Sequence, residues 1–307
     1  MKAAYFMKHG GPEVMQYGDV PDPVAGPGQV LVDVHAASVN GADWKVRAGS
    51  YAPITAVPYV PGRDFSGVVA ALGEGVKDFA VGDAVFGVCD VGQEQAYAEK
   101  VAIRAAIVAR KPAGLTHAQC AALALTGLTA LVSIEDTLQL KSGETILIQG
   151  GAGGVAGFAI QLAKHIGAQV ITTASAANLD YVRGLGADRI IDYRAEDFTK
   201  AVTGCDAVFD TVGGDVAMRS FTVLRPGGRA AFIASGNNAP ASPRADVVSL
   251  RPKVGRDRAH LDRIAALVTS GAVKAPEITL YPLAEAAKAH AVSEGRHLRG
   301  KLVFRVR

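Results

Sequence analysis

The sequence has little of what marks several common function classes. Its three cysteines, Cys89, Cys120 and Cys205, are an odd number without close spacing, which argues against a disulfide framework and for buried small hydrophobes. Seven histidines, at 9, 35, 117, 165, 260, 290 and 297, are scattered, with no Cys or His at metal-ligand spacing, so a zinc site is not expected. The 32 basic and 29 acidic residues leave a formal charge of +3, and neither sign is gathered into a block or tail. Nothing there demands nucleic acid or a membrane as partner. The first residues, Met1 to Phe6, lack an apolar signal core and read as a strand, and no 18-residue apolar span is evident, so a cytoplasmic location is expected.

What remains is an ordinary globular composition, 49% apolar and 20% charged over 307 residues, a length that suggests about two domains. The punctuation changes near residue 115. Up to about Lys111, short β-branched runs (Val30 to His35, Gly67 to Ala71, Ala84 to Val88) alternate with Gly, Pro and Asp turns and predict a mainly β unit. Thr116, with Gln119 three residues on, forms a capping-box pattern before an Ala/Leu-rich helix. Strands and helices then alternate: Thr145 to Gln149, helix Gly153 to Ile166, Gln169 to Thr173, helix Asn178 to Leu185, Arg189 to Ile191, Ala207 to Thr211, helix Asp215 to Leu224, Arg229 to Ala234. That alternation predicts a doubly wound parallel sheet. Helices near Asp257 to Thr269 and Leu283 to Val292, then a strand Lys301 to Val306, form a tail that could return to the first unit.

A dinucleotide pyrophosphate needs a strand that stops abruptly, a backbone approach with no Cβ in the way, and a helix N-terminus with free N–H groups. Gly151-Ala152-Gly153-Gly154-Val155-Ala156 supplies that order: Gly151 is expected to make the tight turn, Gly153 the close approach, and Ala156 the close helix–strand packing, with Gly154 and Val155 opening the helix. Such a match arises by chance in a chain this rich in Gly and Ala, so the inference rests on the apolar strand before it and the amphipathic helix after it. About 20 residues on, where an acid would hold the ribose 2′-OH of NAD, the chain reads Thr172-Thr173-Ala174-Ser175-Ala176-Ala177-Asn178, with no acid before Asp180. Ser175 and Asn178, with Tyr193 and Arg194 nearby, suit a 2′-phosphate and point to NADPH. Ser175 and Asn178 also suit a plain helix cap.

The stretches Ala36-Ala37-Ser38-Val39-Asn40-Gly41-Ala42-Asp43-Trp44-Lys45-Val46-Arg47-Ala48-Gly49, Pro61-Gly62-Arg63-Asp64-Phe65-Ser66-Gly67, Val81-Gly82-Asp83 and Gly300-Lys301-Leu302-Val303 carry a stronger signal. They resemble the zinc-free, zeta-crystallin-like quinone oxidoreductase branch of the medium-chain dehydrogenase/reductase superfamily, across essentially the whole chain. The resemblance implies an α/β fold in which a Rossmann doubly wound parallel sheet (118–255), binding NADPH, is inserted into a GroES-like, mainly β catalytic domain (1–117 plus 256–307). It also implies a homodimer. Zinc-dependent members place a Cys ligand where this chain has Asn40 and a His ligand where it has Arg63, and carry a four-Cys lobe that is absent here.

Without zinc to polarise a carbonyl, the acceptor must supply its own electron sink, as a quinone or a conjugated enone does. The resemblance places Asn40, Asp43 and Tyr51 at nicotinamide and substrate, with Tyr51 as a candidate proton donor. It places Thr126, Thr211, Phe232 and Ser235 at the cofactor. From the residues alone, Asn40 and Asp43 equally suit a helix cap with an acid at N3, Arg47 and Arg63 equally suit ion pairs, and Phe232 suits the core. The expected activity is NADPH-dependent quinone reduction. An alkenal or enone double-bond reductase, or a non-catalytic NADPH-binding protein of crystallin type, are the alternatives. The loops Ser50 to Tyr59 and Asn237 to Arg251 are expected to set substrate size.

Overall fold

The computed structural model describes residues 1–307 apart from Ala52, Thr55, Val91 and Asn237; these four include three positions in the two loops expected to set substrate size. The chain divides into two compact units. One comprises Met1–Leu125, Arg256–Thr269 and Ala275–Arg307, the other Thr126–Gly255 and Ser270–Lys274.

The first unit opens with an antiparallel pair, β1 (Lys2–Tyr5) and β2 (Gln16–Asp19). Next come β3 (Gln29–Ser38), helix α1 (Gly41–Arg47), β4 (Asp64–Leu72), β5 (Ala84–Val88), β6 (Lys100–Arg104) and β7 (Val108–Arg110). Strand β3 shows why the sequence pattern makes a strand: Val30, Val32 and Val34 alternate into the core while Gln29, Leu31, Asp33 and His35 are only partly buried, until a register shift between Val34 and Ala36 turns Ala37 into that core. Gly67, opposite Val34, lets β3 and β4 come together, since a Cβ there would lie 2.0 Å from the Asp33 carbonyl oxygen. Helix α2 (His117–Leu131) begins on the predicted box: the Gln119 amide oxygen accepts from Thr116 N at 2.9 Å and Gln119 N donates to Thr116 Oγ1 at 3.2 Å. It runs on as a π-helical turn to Thr137. Contrary to expectation, this helix is long and apolar enough to cross a membrane; most of it is buried in the molecule, as in a core helix.

In the second unit, β8 (Thr145–Gln149), α3 (Gly154–Ile166), β9 (Gln169–Ala174), α4 (Leu179–Gly184), β10 (Arg189–Asp192), α5 (Phe198–Ala201), β11 (Cys205–Asp210), α6 (Asp215–Ser220), β12 (Leu224–Phe232) and β13 (Val248–Leu250) build a six-stranded sheet. Its order is β10-β9-β8-β11-β12-β13 with every pair parallel, which is the Rossmann order. Helix α3 buries Ala159, Leu162 and Ala163 and stops at Gly167, whose φ of 95° only glycine adopts cheaply. The helix expected over Asp215 to Leu224 ends at Ser220, and β12 starts at Leu224 rather than Arg229. Pro226-Gly227-Gly228 is carried inside the strand as an irregularity, with pairing to β11 interrupted after Leu224 and resumed at Arg229.

The tail contributes α7 (Arg258–Thr269), β14 (Ile278–Pro282), α8 (Ala286–Glu294) and β15 (Lys301–Arg305). Strand β15 pairs antiparallel with β3 and parallel with β14, completing the sheet β14-β15-β3-β4-β5-β7, with β6 also paired to β3. The cysteines are buried and free, and burial raises each thiol above its ordinary pKa.

Candidate functional site

At the carboxyl edge of the parallel sheet, β8 ends in Gln149 and the chain turns through Gly151 and Ala152, closed by Gly153 N donating to the Gly150 carbonyl at 3.0 Å. Gly150 has φ 79°, the left-handed conformation, whereas Gly151 is the glycine of close approach: a Cβ there would lie 2.4 Å from Thr172 Oγ1 on β9. The loop is pinned to the end of β9 by Gly150 N donating to Thr173 Oγ1 (3.1 Å) and Gly151 N to the Thr173 carbonyl (2.9 Å). Thr173 is held in turn by the buried Gln149 amide, to which its hydroxyl donates at 2.7 Å. Gly153 is the N-cap of α3, so Gly154, Val155 and Ala156 present first-turn N–H groups that helix geometry leaves unpaired. A glycine cradle, small side chains and a helix N-terminus fit a dinucleotide pyrophosphate.

Four other predicted residues gather beside it at the ends of β9 and β10. Tyr193 N donates to the Ala174 carbonyl (3.2 Å), which ties the chain after β10 to the end of β9, and Asn178 Nδ2 donates to Ser175 Oγ (3.2 Å). Ser175 and Asn178 occupy N-cap positions without making a side-chain cap bond. Arg194 lies over the exposed Tyr193 ring, 5.8 Å from its centroid, and supplies the positive charge that the Ser175 stretch lacks. At the end of β11, Thr211 Oγ1 donates to the Gln149 carbonyl (2.8 Å). The buried Asp210 carboxylate accepts from Val212 N (3.2 Å) and Gly213 N (2.9 Å), fixing that turn, although burial raises its pKa. Asp210 and Gln149 were missed because polar strand ends look alike in sequence. Phe232 is a core side chain packed on Phe221, ring centroids 5.2 Å apart. Ser235 donates to the Asn238 carbonyl (3.1 Å), and Thr126 is buried on α2.

The first unit holds the other predicted residues, and here the cap reading of Asn40 and Asp43 is realised. Asn40 is the N-cap of α1, and its N–H donates to Asp43 Oδ2 at 2.9 Å. The Asn40 amide is spent on distant partners: Nδ2 donates to Asp64 Oδ1 (2.8 Å), and Oδ1 accepts from Lys301 Nζ (2.8 Å). Ser38 Oγ and Leu125 N also donate to Asp64, and Lys301 donates to the Val39 carbonyl at 2.7 Å. Asp64 and Lys301 are both buried; burial raises the carboxyl pKa and lowers the ammonium pKa, each opposed by the other's charge.

Asp43 is wholly buried. Its Oδ2 also accepts from Tyr97 Oη (2.7 Å), while Oδ1 sits 3.6 Å from Arg63 Nε without a hydrogen bond. Arg63 Nη2 pairs with Glu94 Oε1 at 2.7 Å. Arg47, equally buried, pairs with Glu294 at 2.7 Å, so both arginines are ion-pair residues. Tyr51 is exposed, with the Arg63 guanidinium carbon 4.9 Å from its ring centroid. Glu94 and Tyr97 lie in a loop without periodicity, and nothing local marked them.

Burial pushes the Asp43 carboxyl up to about 7, against the pull of Arg63. A carboxyl whose folded pKa exceeds its unfolded value holds its proton more tightly in the fold, so this contribution to stability is present at low pH and lost as pH rises from about 4 to about 7. Asp43→Asn, which cannot titrate, is therefore expected to gain stability relative to the unsubstituted protein across that window. Melting temperatures that run parallel with pH would refute it.

Among the described residues, no group of three His, Cys, Asp or Glu side chains is placed to hold a metal ion. An amide already bonded on both ends at Asn40 and a guanidinium at Arg63 do not fit zinc.

Two family models match: the alcohol dehydrogenase GroES-like domain over residues 26–126 and the zinc-binding dehydrogenase family over 185–304. The chain is 33% identical to the NADPH-dependent alkenal/one oxidoreductase of Arabidopsis thaliana over 99% of this chain and 79% of that protein. It is 33% identical to a mycocerosic acid synthase-like polyketide synthase of Mycobacterium tuberculosis over 92% of its length, which is 14% of that much longer protein. The solved structure of the quinone oxidoreductase from Coxiella burnetii superposes with a TM-score of 0.91 at 36% identity, covering 100% of this chain and 99% of that one. Together with the Rossmann sheet and the GroES-like sheet, these matches place the chain in the quinone oxidoreductase branch of the medium-chain dehydrogenase/reductase superfamily.

Proposed function

We propose that this protein reduces quinones with NADPH by hydride transfer, without zinc, as a cytoplasmic homodimer. The observation that carries the reading is the state of positions 40 and 63: an amide bonded to Asp64 and Lys301, and a guanidinium bonded to Glu94. Neither can ligate a metal that polarises a plain ketone, so the acceptor must spread the incoming charge over its own conjugated system. Nicotinamide, when bound, supplies the hydride. The protein's share is to hold the pyrophosphate on the Gly150–Val155 turn, to read the 2′-phosphate with Ser175, Tyr193 and Arg194, and to offer the exposed Tyr51 phenol as proton donor. The alkenal/one oxidoreductase match supports a second reading, reduction of an enone double bond, which uses the same parts.

The test pairs an acceptor panel with one variant. Chelator-treated protein should oxidise NADPH with ortho- or para-quinones or α,β-unsaturated ketones as fast as untreated protein. Arg194→Glu should weaken NADPH binding about tenfold, consistent with losing one charge-assisted contact, and leave NADH binding unchanged. Tight NADPH binding with no turnover on any acceptor would instead indicate a binding protein, and activity lost to the chelator would indicate a metal.

A further inference from the structure

The cluster around Arg63 is built more heavily than an isolated ion pair requires. Two buried carboxylates back the guanidinium: Glu94 Oε1 lies 2.7 Å from Nη2 and Asp43 Oδ1 3.6 Å from Nε. Glu94 sits where the chain takes the left-handed conformation at two consecutive non-glycine residues, with φ 54° at Glu94 and 77° at Gln95. Strain of that kind persists only where the surroundings enforce it, and it concentrates at working sites. With its nitrogens turned toward the carboxylates, the guanidinium lies against the ring of Tyr51, the one aromatic of this cluster that is exposed.

A second cation adjoins it. Cys89 N donates to the Arg63 main-chain carbonyl at 2.7 Å, and the Cys89 carbonyl accepts from Arg256 Nε at 3.1 Å, so Cys89 links the Arg63 backbone to the Arg256 side chain. Burial and the charge of Arg63 hold Arg256 below its ordinary pKa, and Tyr51 is among the groups that favour its charged form. Two guanidinium groups therefore act on one solvent-facing phenol.

We propose that Arg63 is a positioning residue for proton delivery: stacked on Tyr51, it aims the phenol at the acceptor's oxygen and stabilises the phenolate that remains. The inference rests on the reading of Tyr51 as proton donor. In the balanced step, the hydride's electron pair forms a new C–H bond on the acceptor and displaces a conjugated pair onto its oxygen. That oxygen takes the proton from Tyr51, whose O–H bond breaks. The phenolate then takes a proton from water, to which Tyr51 is exposed. Glu94 and Asp43 hold the guanidinium against the ring while this happens.

A double-mutant cycle of Tyr51→Phe and Arg63→Gln tests it. Tyr51→Phe should lower kcat at least tenfold. Arg63→Gln should lower kcat about tenfold with KM within twofold, raise the solvent deuterium isotope effect on kcat, and be partly rescued by Arg63→Lys. The double variant should be no slower than Tyr51→Phe alone. Multiplying losses in the double variant would overturn the role of Arg63 and leave Tyr51 as donor. An unimpaired Tyr51→Phe would overturn both. NADPH titration and melting curves report folding; where Arg63→Gln does not fold, Glu94→Gln, which loosens the guanidinium while keeping side-chain shape, enters the same cycle with the same criteria.

Discussion

A valine at position 151 is expected to weaken NADPH binding about a hundredfold. The Cβ alone would stand 2.4 Å from Thr172 Oγ1 and 3.1 Å from Thr172 Cγ2. Thr172 cannot swing away, because it is wholly buried and its hydroxyl donates to the Ile148 carbonyl at 2.6 Å. The loop must therefore lift off β9, stretching the bonds from Gly150 N and Gly151 N to Thr173 and carrying the first amides of α3 out of line. Overpacking of this sort costs about 1–3 kcal/mol, and a hundredfold in affinity is about 2.7 kcal/mol, so the expected loss sits within that range. Fluorescence titration with NADPH measures it. Gly184→Ala, where a Cβ meets nothing within 4 Å, is the control and should bind as the unsubstituted protein does. Undiminished affinity in Gly151→Val would mean that the pyrophosphate lies elsewhere.

Lys301→Met is expected to destabilise the protein by about 3–5 kcal/mol, the usual cost of leaving one buried charge without its partner. Lys301 holds the Val39 carbonyl and the Asn40 amide oxygen, and its charge is the main influence that offsets the burial of Asp64. Without it the Asp64 carboxyl moves further up. A raised carboxyl pKa favours the folded state at low pH and disfavours it as pH climbs, so the deficit should widen as pH rises above about 4. Adding Asp64→Asn should recover part of the loss at neutral pH. Denaturant titration at several pH values gives the result; a deficit independent of pH would mean that packing of the lysine stem, not its charge, is what matters.

The sequence made the second unit legible almost strand by strand, because parallel β/α units are local. A short apolar run, a glycine turn and an amphipathic helix announce one another within about thirty residues, and Thr116 with Gln119 marked the start of α2 for the same reason. Two features of that turn were not legible: the positive φ of Gly150, and the close approach of Gly151 to the side chain of Thr172, which lies on the neighbouring strand. The first unit was harder. Asn40 and Asp43 could be read as a cap or as a site. What settles their amide and carboxylate bonds are Asp64, Tyr97 and Lys301, residues 24, 54 and 261 positions away from the groups they bind. Arg63 was open between anchor and ion pair until Glu94 came in from an irregular loop. Local rules read local contacts, and the polar network of this unit is almost wholly long-range.

The pairing of β15 with β3 bears on the order in which the chain is made. The first part of strand β3 pairs with β6, which follows it closely, but the segment that covers Ala36 to Ser38, and the lysine that holds Asn40, follow only after residues 126–300. At about 5–20 residues per second that interval is roughly 10–35 s. During it the Ala36–Ser38 end of β3 displays unpaired backbone donors and acceptors, the kind of edge to which other extended chains add. The Rossmann unit, contiguous apart from Ser270–Lys274, has nearly all of its residues in hand well before that wait ends.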